Sequence, residues 1–370
     1  MNNSLLRVGV IGCGFFAENH LAAWSEIEGV TLAAVCDLDI AKARSAAGRH
    51  GAKSVYANAA DLLDSGEIDF VDIATTMRSH VELVALAAKR AIPVIVQKPL
   101  APSYAECLSI IDTCRAAKIP FMVHENMRFL RPVRKVREII DSGSLGTLTW
   151  GRIAFRTGHD IYGKQPYLAQ EDHFVLLDLG VHMFDVARFL FGEVDRLYCQ
   201  SQSIKPGIKG EDMATILLSH TNGATSVVEC SYASPIHPDP FPEITLQIEG
   251  TRGSLRLEPG YALTSFIDGK VQKFDVSPKL FSWSTPPWHG TQESVHAVQQ
   301  HWITCLREGK VPETSGGDSQ KTYGLVFGTY ESARTGKAVT PLSESGRQQV
   351  QPAPDCTEIN PWVSGERPET

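Results

Sequence analysis

A chain of 370 residues with 43% hydrophobic and 21% charged residues is long enough for two domains and a large core. Its formal net charge of −7, with no long basic run, excludes broad binding to nucleic acid or to an anionic membrane. Eight cysteines, none in a C-x-x-C pair and several inside apolar runs, point to a reducing compartment, the cytoplasm, rather than to a disulfide framework. An apolar run begins almost at once, so no signal peptide is expected, and no apolar segment approaches membrane-spanning length.

The first apolar run, Val8 to Ile11, reads as a buried strand and breaks into Gly12-Cys13-Gly14-Phe15-Phe16-Ala17 before a helix. Strand, G-x-G-x-x-A, helix is the context in which a glycine turn holds a dinucleotide. Gly12 permits the turn, Gly14 lets a pyrophosphate approach, and Ala17 lets helix and strand pack closely. The helix N-terminus then offers N–H groups to the phosphates, among them those near Phe15 and Phe16. The competing reading is a plain glycine turn. Against it stands Asp37, which ends the next apolar run, Val30 to Cys36. A carboxylate there accepts hydrogen bonds from ribose hydroxyls and repels a 2′-phosphate, so NAD is expected over NADP.

Strands and helices then alternate. Strands are predicted at Leu32 to Cys36, Lys53 to Tyr56, Phe70 to Ala74, Val94 to Val96 and Phe121 to Val123. Helices are predicted at Glu18 to Glu26, Ile40 to His50, Ala59 to Asp64, Val81 to Lys89 and Tyr104 to Ala117, with Asp39 and Ser103 as N-caps. Apolar strands separated by helices mean a parallel, doubly wound α/β sheet that binds ligands at its strand ends. Those ends carry Thr75, Thr76 and His80 after the fourth strand, Gln97-Lys98-Pro99 after the fifth, and His124 to Arg128 after the sixth.

Beyond Arg128 the pattern changes. A helix is predicted at Pro132 to Ser142. Strands are predicted at Thr147 to Phe155, Glu193 to Ser203, Met213 to His220, Thr225 to Tyr232, Glu243 to Glu249 and Gly253 to Glu258. Asn222-Gly223 and Thr251-Arg252-Gly253 mark hairpins. Helices at Gln292 to Arg307 and Asp318 to Thr335 follow, then a polar, proline-containing tail. The expected division is 1–126 for nucleotide binding, 127–342 for an α+β domain with an open, largely antiparallel sheet, and 343–370 for the tail.

Three motifs in order carry a resemblance: Lys98-Pro99, Asn126-Met127-Arg128-Phe129 with Pro132, and Asp178-x-Gly180-x-His182-x-x-Asp185. Over about Leu6 to Leu342 the chain resembles the glucose–fructose oxidoreductase / inositol dehydrogenase (Gfo/Idh/MocA) family, with Gln97 where that family usually carries Glu. The resemblance implies a Rossmann domain followed by an α+β domain, hydride transfer between NAD(P) and a sugar, polyol or sugar acid, and a homodimer or homotetramer built on the open sheet. Within the family the sequence texture is similar to bacterial D-apiose dehydrogenases, which implies an aldose as substrate.

Oxidising a hydroxyl needs a hydride acceptor, a base for the proton and stabilisation of the developing oxyanion. Lys98 suits the last by charge. His182 suits the base, since an imidazole titrates near working pH. Asp178 would orient either one or hold a substrate hydroxyl. The competing readings are a buried, satisfied histidine and a helix N-cap. His80 is expected near the nicotinamide ribose, Thr75, Thr76 and Gln97 against the cofactor, and Asn126, Arg128, Arg156 and His159 around substrate. Arg128 could equally pair with an acid. A second polar cluster, Arg156 to Tyr162, would wall the pocket, and Trp283, Trp288 and His289 either cover a sugar face or anchor their loop.

Three rivals remain. A metal on His159, His173, Asp178 and His182 lacks any tight H-x-x-x-H spacing, so no metal is expected. A non-catalytic NAD-bound regulator would not need Lys98 and His182. An imine or enone reductase would need no base on an alcohol.

Overall fold

The computed structural model describes residues 5–343 and Trp362. The expectation of a polar tail at 343–370 lies outside the described residues except at Ser343 and Trp362. By contact the chain divides into two units. One holds the described residues up to Glu125 together with Val295–Gln320, and the other holds Asn126–Ser294 with Lys321–Ser343. The sequence reading carried 295–320 with the second domain, whereas these residues group with the first unit.

The first unit runs β1 Leu6–Ile11, α1 Ala17–Glu26, β2 Val30–Cys36, α2 Ile40–His50, β3 Ser54–Tyr56, α3 Ala59–Asp64, β4 Phe70–Ile73, α4 His80–Lys89, β5 Val94–Gln97, α5 Tyr104–Ala117 and β6 Phe121–His124. Every pairing is parallel and the strand order is β3-β2-β1-β4-β5-β6. This is the Rossmann order, whose direction reverses between β1 and β4. The strands form because their short β-branched runs are apolar on both faces and helices cover both. Asp39 caps α2 by accepting the Ala41 and Lys42 N–H groups, and Ser103 caps α5 through the Glu106 N–H. Residues 295–320 belong to this core: Trp302 is fully buried with its ring 6.3 Å from that of Phe70. The Thr314 hydroxyl donates to the Val123 carbonyl at 2.6 Å, and the Val123 N–H donates to the Thr314 carbonyl at 2.9 Å.

The second unit contains α6 Arg131–Asp141, β7 Leu148–Arg156, α7 Val181–Phe191, β8 Val194–Gln202, β9 Met213–His220, β10 Thr225–Ser231, β11 Thr245–Gly250, β12 Gly253–Glu258, β13 Ala262–Ile267 and β14 Lys270–Asp275. Its sheet orders as β14-β13-β12-β11-β7-β10-β9-β8, antiparallel except where β7 meets β10. Both expected hairpins form, joining β9 to β10 and β11 to β12. β13, β14 and the helix α7 were not among the predicted elements. α7 is buried on almost every side, so it carries no amphipathic period to read. It lies on β7 and β10, where Gly151 makes room: a Cβ there would overlap the Phe191 ring. Two long helices follow, α8 His289–Glu308 and α9 Gly316–Thr335. Among the described residues no helix is long and apolar enough to cross a membrane.

Candidate active site

The glycine turn closes at the reversal point of the first sheet. Gly12 has φ +104°, and a Cβ there would lie 2.6 Å from the Ala74 carbonyl oxygen at the end of β4. Only glycine satisfies both demands. Gly14 is the opposite case: nothing lies within 4 Å of where its Cβ would be. The backbone there faces open space immediately before the N-terminus of α1, an arrangement that suits a pyrophosphate. Phe15 is 40% exposed, while the Phe16 ring meets the His20 ring edge-on at 5.7 Å. Asp37 ties the tip of β2 to the turn. Its Oδ2 accepts the Cys13 N–H at 2.8 Å and its Oδ1 accepts the Asp39 N–H at 2.9 Å. Each oxygen retains a second lone pair for a ribose hydroxyl. These residues fit a dinucleotide without a 2′-phosphate.

At the next strand ends, the hydroxyls of Thr75 and Ser79 are 2.7 Å apart, and the Thr76 carbonyl accepts from the Ser79 side chain and N–H. His80, expected near the nicotinamide ribose, opens α4. It is fully buried, with Nδ1 3.0 Å from the Leu100 carbonyl and Nε2 3.2 Å from the Thr75 carbonyl. Burial pushes its pKa down to about 4 against the pull of those carbonyls, so the ring is neutral and donates to one of the two. Gln97 ends β5, buried, and its Oε1 accepts the Lys98 N–H at 2.6 Å. Lys98 itself is half-buried, and its bond to Pro99 is cis.

In the second unit, Asp178 lies in a π-helical turn, Leu176–Gly180, that runs straight into α7. Its Oδ2 accepts the Tyr232 hydroxyl at 3.0 Å. Burial first, and the Asp178 charge second, raise the Tyr232 phenol well above its usual range and keep it a donor. His182 follows on the first turn of α7, 5% exposed. The turn is held from beneath by Glu211, which accepts the Phe174 and Leu176 N–H groups and the Tyr330 hydroxyl. Tyr162 stands close by, its ring 5.7 Å from that of Phe174 and the Lys205 ammonium 5.2 Å from its ring centre. The Tyr162 hydroxyl is buried and has no hydrogen-bond partner among the described residues.

The other residues expected around substrate each have a protein partner within the second unit. Arg128 is buried in a bidentate pair with Asp185, the Nε–Oδ2 distance being 2.7 Å. Its guanidinium answers an acid, the pairing that the sequence also allowed. Asn126 donates to the Ser294 hydroxyl at 2.6 Å, also buried. Arg156 reaches Glu229 at 3.3 Å, beside the stronger Arg152–Glu229 pair. His159 is exposed and stacks on Phe241 at 4.0 Å, and His173 stacks on Tyr330 at 4.1 Å. Among the described residues no group of three or more His, Cys, Asp or Glu is gathered as a metal ion requires. Trp283 stacks on Phe281 at 5.6 Å and Trp288 meets Phe241 at 5.0 Å, so each tryptophan packs on a phenylalanine within its own unit.

The same division recurs in known proteins. The oxidoreductase family with an NAD-binding Rossmann fold matches residues 6–125, and the GFO/IDH/MocA C-terminal domain matches residues 133–256. The chain belongs to the GFO/IDH/MocA oxidoreductase family. It is 45% identical over 339 residues to a D-apiose dehydrogenase of Rhizobium rhizogenes, covering 92% of this chain and 98% of that protein. A D-apiose dehydrogenase of Paraburkholderia graminis is 44% identical, covering 89% of this chain and 88% of its own. An oxidoreductase from Agrobacterium radiobacter, solved with NAD+, L-tartaric acid and magnesium, superposes with a TM-score of 0.89 at 45% identity, covering 91% of this chain and 98% of that one.

As a GFO/IDH/MocA protein, the chain is an NAD-dependent oxidoreductase. Two of its motifs lock each other: Arg128 of the Asn126 stretch grips Asp185 of the Asp178 stretch. Sequence reasoning missed Asp72 and the two residues that bond it in the core, His20 and Trp24, of which His20 also meets Gln97. The available signal was Asp72, an acid in the middle of the apolar strand Phe70–Ile73. It also missed Tyr232 and Glu211, whose partners are 54 and 35 residues away in sequence.

Proposed function

We propose that the protein oxidises the anomeric hydroxyl of an aldose, D-apiose or a near relative, to the lactone, with NAD as acceptor. The near-full-length 45% identity to a D-apiose dehydrogenase carries this reading. When bound, NAD supplies the acceptor for the hydride that leaves carbon. The chain's own residues do the rest. Lys98 holds positive charge against the oxygen as its proton departs. His182 takes that proton, the role for which an imidazole is suited. Asp178, anchored by Tyr232, orients the histidine or a neighbouring hydroxyl. The Tyr162 hydroxyl, kept protonated by burial and by the nearby Asp212, Asp160 and Asp178 charges, is a donor suited to another sugar hydroxyl. Asp37 favours NAD over NADP.

The open sheet suits a homodimer or homotetramer. The seven described cysteines are free, in keeping with a cytoplasmic setting. Following NADH absorbance over a panel of aldoses, inositols and sugar acids, each with NAD and NADP, tests the reading. Turnover of apiose with NAD is expected. Turnover confined to inositols or sugar acids would replace the aldose, and NAD binding without any turnover would favour a regulator.

A further inference from the structure

His20 and Trp24 lie one turn apart on α1, both facing β4 and both fully buried. Asp72, equally buried, accepts from each through Oδ2: from Trp24 Nε1 at 2.7 Å and from His20 Nδ1 at 2.8 Å. A carboxylate only accepts, so Nδ1 is the nitrogen of His20 that carries the proton. His20 Nε2 then lies 3.0 Å from the Gln97 amide nitrogen, Nε2. With Nδ1 protonated, the neutral ring presents a lone pair at Nε2 and accepts the amide N–H. That fixes which way the carboxamide points. Its oxygen is turned to the Lys98 N–H, 2.6 Å away. The His124 ring stacks on His20 at 3.9 Å and 25° between planes, which holds the imidazole flat.

Each link admits one proton arrangement. From it we infer that Asp72 and His20 are positioning residues for Lys98. They orient the Gln97 carboxamide, and the carboxamide fixes the main chain from which the Lys98 side chain rises. This rests on the reading above that Lys98 stabilises the oxyanion. It also gives Gln97 a reason where the family usually has Glu: a glutamate has no N–H to offer His20. The neutral relay is matched to the amide.

Two tests separate this inference from the aldose reading. The first is spectroscopic and needs no substrate. In protein labelled with 15N at histidine, His20, assigned by its loss in a variant, is expected as the Nδ1–H form with an unprotonated Nε2. An Nε2–H form overturns the inference whatever the enzyme oxidises. The second is kinetic. His20→Asn keeps a donor near Asp72 and stops short of Gln97, whereas His20→Gln reaches the position of Nε2. His20→Asn is expected to lower kcat about tenfold or more, with KM for sugar and Kd for NAD within about threefold, because a catalytic group shifted by a fraction of an ångström loses rate before it loses binding. His20→Gln is expected to recover most of that loss at an equal Tm. Equal kcat in the two variants, or a loss that follows Tm alone, overturns the inference. Wild-type protein that turns over no sugar overturns the aldose reading instead, and the spectrum still decides the relay.

Discussion

Arg128 and Asp185, 57 residues apart, close on each other as a bidentate pair with both side chains almost out of water. Removing one partner leaves the other charge buried without its counter-ion. Arg128→Met is therefore expected to destabilise the fold by about 3–5 kcal/mol, read by urea unfolding, and Asp185→Asn by a similar amount. Arg128→Lys should recover little, since an ammonium cannot reproduce the two-pronged contact. If Arg128 served substrate instead, these variants would raise KM at unchanged stability.

Two glycines two residues apart should fail in different ways. Gly12→Ala must place a methyl at φ +104° and 2.6 Å from the Ala74 carbonyl, so it should lower Tm markedly. Gly14→Ala meets nothing of the protein within 4 Å and should fold with unchanged Tm. Its methyl would occupy space assigned to the pyrophosphate, so NAD affinity should fall about tenfold or more by titration. Unchanged NAD affinity in Gly14→Ala would remove this turn from the cofactor site.

Lys98→Met should leave NAD affinity within about threefold and lower kcat by roughly 10²–10³, the loss typical of removing a group that meets developing negative charge. Single-turnover NADH formation measures it. A variant that loses NAD binding and keeps kcat would assign Lys98 to the cofactor alone.

His80 makes stability depend on pH. Its ring is neutral in the fold, with the pKa pushed by burial down to about 4, while an unfolded histidine titrates near 6.5. The unfolded chain thus binds the extra proton first. The contribution is whole above pH 6.5, falls as pH drops toward 4, and amounts to on the order of 3 kcal/mol across that window. Urea unfolding at pH 7 and pH 4.5 should show a smaller difference for His80→Gln than for wild type. Equal differences would mean that His80 titrates alike in both states.

Glu193 acts in the more acidic range. Burial raises its pKa, but Arg188 and Lys321 outweigh that and hold it at about 2. Its stabilisation is present above the ordinary carboxylate pKa and is lost as pH falls toward 2. Acid titration of Glu193→Gln should therefore show a shallower loss between pH 4.5 and 2, small because the group is half exposed.

Much of this was legible from local pattern. α2, α3 and α5 were predicted to the residue, with the caps Asp39 and Ser103, because cap chemistry and helical period sit within a few neighbouring residues. The strands β13 and β14 were not; the second, Lys270–Asp275, is exposed except at Phe274, and its two apolar residues, Val271 and Phe274, fall three apart and give no alternation. The two destinies of Arg128, ligand or ion pair, could not be separated in sequence because its partner lies 57 residues on. The relay from Asp72 to Lys98 spans 52 and 77 residues at its two central bonds and belongs to the assembled sheet.

The return of residues 295–320 to the first unit bears on how the chain matures during synthesis. Strands β1 to β6 leave the ribosome with Phe70 lacking Trp302, and with Val123 lacking Thr314. The nucleotide-binding half stays unfinished until residues 295–320 have been made, so a fragment stopping at Glu125 would expose apolar sheet surface and invite aggregation or chaperone capture.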